Sequence, residues 1–431
     1  MDLQGLVNVS GVANLLGTTT FRSTSTTDVT AGSTLVVWGE TYYDGGLIDA
    51  SGIVEQAGDA FVTADQTIST TSVFDWDGPL NDSSFTVENG REFHLTAGSL
   101  NPSHNVYNGY LSIHGGLLNV DVADDQWFLA DMLRLISGVK GEGAAIRGVD
   151  LDVTGGVVAP GPSTHTIFAK TRFVGAGLSF SVGSGTTVRF DASVEFNDGV
   201  HSGLDVVTIA QTALVDGGDV ASPVFNIEAP AKAELRSGRL RAGELSADGD
   251  FTMVGGVLSA DVFRGDLVNK CGAMGPGPNP LATGDMVVEG DYEQNDLSTL
   301  DIQLASETVF GTITVVGEAV LDGRLNVELL GTYAPVLGDT FKILTAAAIN
   351  GEFPHLSLLS LGGQLGWNLN YSANMLSLEV ADVVFEGDYN DDGVVDAADY
   401  TVWRDQFGAD RPRLPNEQAT PGEVTMEDYD V

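Results

Sequence analysis

Positive charge is scarce in this chain. Only 19 Lys and Arg stand against 60 Asp and Glu, a formal net charge of −41. Such a field repels phosphate backbones and anionic headgroups, so neither nucleic acid nor an anionic lipid surface is expected as a partner. Cysteine is scarcer still. Cys271 is the single one, which excludes an intrachain disulfide and leaves cysteine usage silent about export. No run of about 18 apolar residues occurs, so no transmembrane helix is expected. The opening residues, Met1-Asp-Leu-Gln-Gly-Leu-Val-Asn, carry neither a basic stretch nor a long apolar one, and no secretory leader is visible. The closing residues, Glu427-Asp-Tyr-Asp-Val431, stop in what reads as the first turn of a helix, and the chain reads as a fragment at one or both ends. Helical periodicity is nearly missing. Its best candidate, residues 124–136, reads equally well as strand. No Gly-x-Ser-x-Gly elbow appears, and no phosphate-binding glycine loop with its lysine.

Glycine, by contrast, is abundant at 54 residues in 431, and apolar residues make up 43%, enough to build a core. A Gly followed closely by Val or Leu recurs at Gly98, Gly116, Gly138, Gly156, Gly177, Gly199, Gly218, Gly238 and Gly256. The step is about 20 residues, a period that points to a repeat architecture. Between the glycines lie short alternating runs such as Val149-Asp-Leu-Asp-Val and Thr187-Val-Arg-Phe-Asp. Alternation with period two marks half-buried strands. Short strands, glycine corners and a steady step predict an all-β chain built as a right-handed parallel β-solenoid. A single coil cannot bury its apolar face alone, so coils stack and share one long core. A row of antiparallel sandwiches also uses short strands, but it has no reason to keep a period.

The Pro- and Gly-dense stretch 271–283 reads as a loop between a first solenoid region, 1–270, and a second, 284–380. The second region has stronger strands, among them Thr299-Leu-Asp-Ile-Gln-Leu and Thr340-Phe-Lys-Ile-Leu. A last segment spans 388–431.

That last segment opens with Asp388-Tyr-Asn-Asp-Asp-Gly-Val-Val-Asp-Ala-Ala-Asp399. Side-chain oxygens fall at loop positions 1, 3, 5, 9 and 12: Asp388, Asn390, Asp392, Asp396 and Asp399. Gly393 at position 6 allows a sharp turn, Val394 offers a backbone carbonyl at position 7, and Val395 is expected as an apolar anchor. Ca2+ takes six to eight oxygen ligands in flexible geometry, and this spacing is that of an EF-hand loop. Asp399 replaces the usual Glu at position 12, and the shorter carboxylate predicts modest affinity. A helix is expected from about Ala397 to Phe407, presenting Tyr400, Val402, Trp403 and Phe407.

Residues 388–408 resemble a type I dockerin repeat, carried by Asp388 to Arg404 with its loop and following helix. A second repeat would place Glu417, Ala419, Pro421, Gly422, Thr425 and Asp428 at positions 1, 3, 5, 6, 9 and 12. Only Glu417, Thr425 and Asp428 offer side-chain oxygens there. Positions 10 and 11 of the first loop, where the family contacts cohesin and often carries hydroxyls, are Ala397 and Ala398. Residues 284–380 resemble the C-terminal part of autotransporter-like β-helix passenger domains, through Gly290-Asp-Tyr-Glu-Gln, Leu300-Asp-Ile-Gln-Leu and Pro335-Val-Leu-Gly-Asp-Thr-Phe-Lys-Ile-Leu. These resemblances imply an extracellular or cell-surface protein. They also imply calcium-dependent folding of an EF-hand-like helical segment, and docking to a cohesin-like or other surface protein. Many dockerin-bearing chains degrade polysaccharides, which would make this chain a lyase or O-glycosyl hydrolase with a polysaccharide ligand.

The residues themselves do not single out a catalytic site. Asp121, Asp124, Asp125, Asp150 and Asp152, with Arg134, Lys140 and Arg147, are grouped in sequence but carry no diagnostic spacing. His94 and His114 would stack on neighbouring coils if each coil had 20 residues, with His104 between them, but a metal site needs further ligands. Trp38, Tyr42 and Tyr43 read as sugar-stacking platforms or as cross-strand packing. Cys271 reads as a free surface thiol. The reading is therefore a β-solenoid with a calcium-dependent docking segment. A polysaccharide-active enzyme and a structural spacer whose calcium loop caps the solenoid remain as alternatives.

Overall fold

Successive coils of this chain hydrogen-bond to one another in parallel and in register. Asp219–Ile227 pairs along its length with Arg239–Ala247, which pairs in turn with Val257–Arg264. The computed structural model describes residues 1–56, 58–76, 84–87, 92–101, 110–114, 117–120, 127–130, 132–136, 145–147, 150–153, 156–159, 162–168, 170–173, 179–277, 279, 282–362, 365–383, 387–407, 414 and 416. They form a parallel β-solenoid followed by one short C-terminal helix.

The alternation in sequence becomes the inside and outside of each coil. In Val194–Asn197, Val194 and Phe196 point inward and are buried, while Glu195 and Asn197 face out. One continuous core results, from Leu3 in the first coil to Val380 near the end. Side chains stack down it coil over coil. Phe173 lies 5.2 Å from Phe196, its register partner in the next coil, and Phe190 meets both edge-on at 6.1 and 6.2 Å. Such ring pairs add about 0.5–1.5 kcal/mol each beyond the area they bury.

Three of the recurrent glycines, Gly218, Gly238 and Gly256, mark places where coils touch backbone to backbone. Gly238 has φ +79°, and a Cβ there would run into the Gly218 carbonyl of the coil before it. Gly256 sits over Gly238 in the same way. A side chain is excluded twice, by conformation and by space.

The coil length is not fixed. Arg239 pairs with Val257, 18 residues on, whereas Arg324 pairs with His355, 31 residues on. Some extra residues are taken up inside strands, as at the register shift between Asn269 and Cys271. The stretch expected to be a loop from 271 is also strand at first: Leu267–Pro276 pairs with both neighbouring coils, through Ala260 to Pro276 and Cys271 to Leu297. Glycine and proline do not end the ladder here because Pro276 stands last in the strand, where its missing N–H costs no bond.

Toward the C-terminus the pattern changes. Thr340–Thr345 still pairs in parallel with Thr312–Val315. Its other edge is taken by Met375–Asp382, which runs antiparallel and returns against Leu365–Tyr371. This hairpin occupies an edge on which another parallel coil would add. Residues 124–136, open between helix and strand in sequence, contribute the strands Trp127–Ala130 and Met132–Ile136. No helix among the described residues is long and apolar enough to cross a membrane.

Candidate metal centre

The loop from Asp388 to Asp399 folds around its own carboxylates. Asp388 is fully buried, and its two oxygens accept from the backbone N–H groups of Asp392 at 3.1 Å and Gly393 at 2.8 Å. This closes the loop over its first residue. The reversal requires positive φ at Asp391 (61°) and Gly393 (84°), which Asp tolerates and Gly adopts freely. Asn390 Oδ1 accepts from the Asp392 N–H at 2.9 Å, its Nδ2 donates to Asp392 Oδ2 at 2.9 Å, and Asp392 Oδ1 accepts from the Val394 N–H at 3.0 Å.

The loop then passes directly into the helix Ala397–Gln406. Asp396 caps it, accepting from the Ala398 N–H at 2.6 Å, while Asp399 Oδ2 accepts from the Asp396 N–H at 2.7 Å. This is a reciprocal capping box with Asp at both ends. Asp399 Oδ1 reaches further back and accepts from the Asn390 N–H at 3.0 Å. Burial pushes the Asp399 carboxyl up, but the N–H groups of Asp396, Asn390, Tyr389 and Asp399 itself outweigh it and hold the group below its ordinary value. The helix is anchored by Trp403, buried with Tyr389 and Leu414 in a small core separate from the solenoid's. Tyr400 and Phe407 flank Trp403 at 5.6 and 5.1 Å and stay largely exposed.

All the donors expected for a cation are oxygens: the side chains of Asp388, Asn390, Asp392, Asp396 and Asp399 and the carbonyl of Val394. That is the donor chemistry a hard divalent cation takes. Asp388 and Asp399 are buried, and none of the five side chains has an ion-pair partner among the described residues. In this arrangement the carboxylates turn to backbone N–H groups. No group of three or more His, Cys, Asp or Glu among the described residues stands together as a metal-holding cluster. Val395, expected as an apolar anchor, lies against Gly387 yet is 52% exposed. The degenerate second repeat, 417–431, lies outside the described residues.

The other candidates are dispersed. Asp121, Asp124, Asp125, Lys140 and His104 lie outside the described residues. Asp150 aligns with Trp127, Asp152 with Arg172, Arg134 with Ser112 and Arg147 with Asn119. His94 aligns with Thr67 and Asn119, and His114 with Ile136, so the two histidines do not stack. Coil length varies, and the 20-residue spacing between them misses the register. Tyr43 is a core residue, fully buried and stacked on Phe21 at 5.3 Å, and Tyr42 stacks on Phe61 of the next coil at 5.2 Å. Trp38 remains exposed and donates to Asn14 Oδ1 at 3.1 Å. Cys271 is a free, half-buried thiol. Sequence reasoning missed a groove at a bend in the solenoid wall, bordered by Asp205, Arg241 and Asp261. Its only signal in sequence is a one-residue slip in the alternation around Pro223 and Gly243. No protein-family model matches the chain, and no curated protein does either.

Proposed function

We propose that residues 388–407 form a calcium-binding, dockerin-type docking module carried by an extracellular or cell-surface β-solenoid. The carrying observation is the placement of oxygen donors at positions 1, 3, 5, 7, 9 and 12 of a loop that turns at Gly393 and leads straight into a capped helix. Asp388, Asn390, Asp392, Asp396 and Asp399 would hold the ion with the Val394 carbonyl. When bound, calcium supplies positive charge that balances the loop's carboxylates. The chain's own residues do the rest. Asp396 and Asp399 start the helix, Trp403 packs it onto Tyr389 and Leu414, and Tyr400 and Phe407 stand exposed beside Trp403 for a protein partner. The parallel solenoid is consistent with a surface or passenger-like protein.

The test is a calcium-dependent pull-down of cell-surface proteins using the whole chain, paired with calorimetric titration of calcium. Asp388→Ala with Asp392→Ala is the control. The reading expects calcium binding and a partner retained in calcium, both lost in the double variant, with the partner also released by chelator. Calcium binding without any calcium-dependent partner would remove docking and leave a structural cap. No calcium binding would remove the whole reading.

A further inference from the structure

The solenoid wall bends along one line. In Asp219–Ile227 the buried residues run Val220, Ser222, then Phe225 and Ile227, so the alternation slips by one at Pro223 and Val224. Arg239–Ala247 slips at the same height: Leu240 and Ala242, then Leu245. The two halves of each strand keep their pairing on either side of Pro223 and Gly243, which are skipped in the ladder. Because the bend repeats in register, it opens a groove across the coils, with a volume of about 590 Å³.

The groove floor is made of small or buried residues, among them Gly203, Leu204, Ala221, Ser222, Ala242 and Gly243. The separation of its two carboxylates follows from the register. Asp205 precedes Val206, which pairs with Val224; Val224 pairs with Glu244, and Glu244 with Val262, which Asp261 precedes. Asp205 and Asp261 are therefore three coil steps apart, about 14 Å at about 4.8 Å per step. The one cation on the lining, Arg241, is already committed to Asp219 at 2.9 Å. Asp205 accepts the Gly185 N–H, and Asp261 makes no ion pair among the described residues. No aromatic side chain lines the groove, so there is no platform for a sugar ring.

We propose that this groove binds a small linear polyamine lying across the coils, with ammonium groups at Asp205 and Asp261. Charge complementarity selects the occupant. Two carboxylates stand along a mainly apolar trough, Asp261 at one end and Asp205 one coil in from the Val182 and Ser184 end, matching a chain of methylenes with charges along it. Asp261 is exposed at the mouth, yet burial of its carboxyl and then the charge of Asp285 push it above its ordinary value, and a nearby cation would relieve both effects.

Calorimetric titration of the whole chain with spermine and with putrescine, at low ionic strength, tests this. One spermine site is expected. Affinity should fall about five-fold in Asp205→Asn and again in Asp261→Asn, the scale of an exposed ion pair. Putrescine, too short to span the two carboxylates, should bind more weakly than spermine and lose little on the second substitution. Asp49→Asn, an exposed carboxylate on a distant coil, should leave binding unchanged. Equal spermine binding by the wild type, the Asp205/Asp261 double variant and Asp49→Asn would mark diffuse attraction to an acidic surface and overturn the proposal. So would binding of a neutral oligosaccharide that depends on Asp205 and Asp261 while spermine does not bind.

Discussion

Asn390 donates its backbone N–H to Asp399 Oδ1 at 3.0 Å, so the third residue of the acidic loop is tied to the first turn of the helix that follows. The other oxygen of Asp399 holds the Asp396 N–H. One buried carboxylate thus joins loop and helix, and its loss should affect both together. Asp399→Ala should destabilise the segment by about 1–3 kcal/mol, since it leaves two N–H groups without their acceptor. Hydrogen exchange should quicken across 388–406 while the strands before 383 keep their protection. Faster exchange confined to the helix would show that loop and helix are not coupled.

Calcium should act on the same unit. Ligands that converge only in the folded loop make binding and folding one equilibrium. At about 100 times its dissociation constant, calcium should add about 2.7 kcal/mol to the segment's stability. The expected outcome is slower exchange over 388–407 in calcium, reversed by chelator and absent in Asp388→Ala with Asp392→Ala. Protection by calcium that survives this double variant would place the ion elsewhere.

The solenoid was legible because its signals are local and repeated. Glycine at Gly218, Gly238 and Gly256 reflects direct backbone contact between coils, and alternation such as Val194-Glu-Phe-Asn reflects inside and outside. The turn at Gly393 and the helix that follows it were legible for a similar reason, because a glycine and a capping Asp at set intervals act locally. Long-range choices were not legible. Nothing in Met375–Asp382 declares that it pairs antiparallel with Thr340–Thr345, since alternation is the same in either direction. The strand through Cys271 to Pro276 was hidden by its own composition, and its pairing comes from the coils on both sides. The bend at Pro223 and Gly243 depends on register between coils, which one strand alone does not carry.

The core also holds polar groups that alternation does not forecast. Tyr43, fully buried, donates its hydroxyl to Gln56 Oε1 at 2.8 Å, and the Gln56 amide donates to Thr41 Oγ1 at 3.1 Å and the Gly58 carbonyl at 3.0 Å. Tyr43→Phe keeps the ring stacked on Phe21 but leaves the glutamine oxygen without this donor. A loss of about 1–3 kcal/mol in denaturant unfolding is expected. Gln56→Ala should cost more, because it removes the bonds to Tyr43, Thr41 and Gly58 together and opens a cavity as well. If Tyr43→Phe proves neutral, the hydroxyl is not what holds this corner.

His165 gives the fold a pH dependence of known sign. It is buried in Thr164–Ile167, in register with Val188, and burial pushes its imidazole down from 6.5 to about 4. The folded state therefore favours the neutral ring. Above pH 6.5 the ring is neutral in both states and contributes no slope. Between about pH 6.5 and 4 the unfolded chain takes up a proton that the folded chain refuses, so stability falls as pH falls through this window. The loss reaches about 3 kcal/mol once pH passes below the folded value, at 1.36 kcal/mol per unit. Carboxylates titrate over part of the same range, and His165→Gln separates the two contributions. The difference in unfolding free energy between wild type and variant should shift by about 3 kcal/mol between pH 7 and pH 4, in favour of the variant at the acid end. An unchanged difference across that range would mean that the folded protein accepts the proton on His165 as readily as the unfolded chain does.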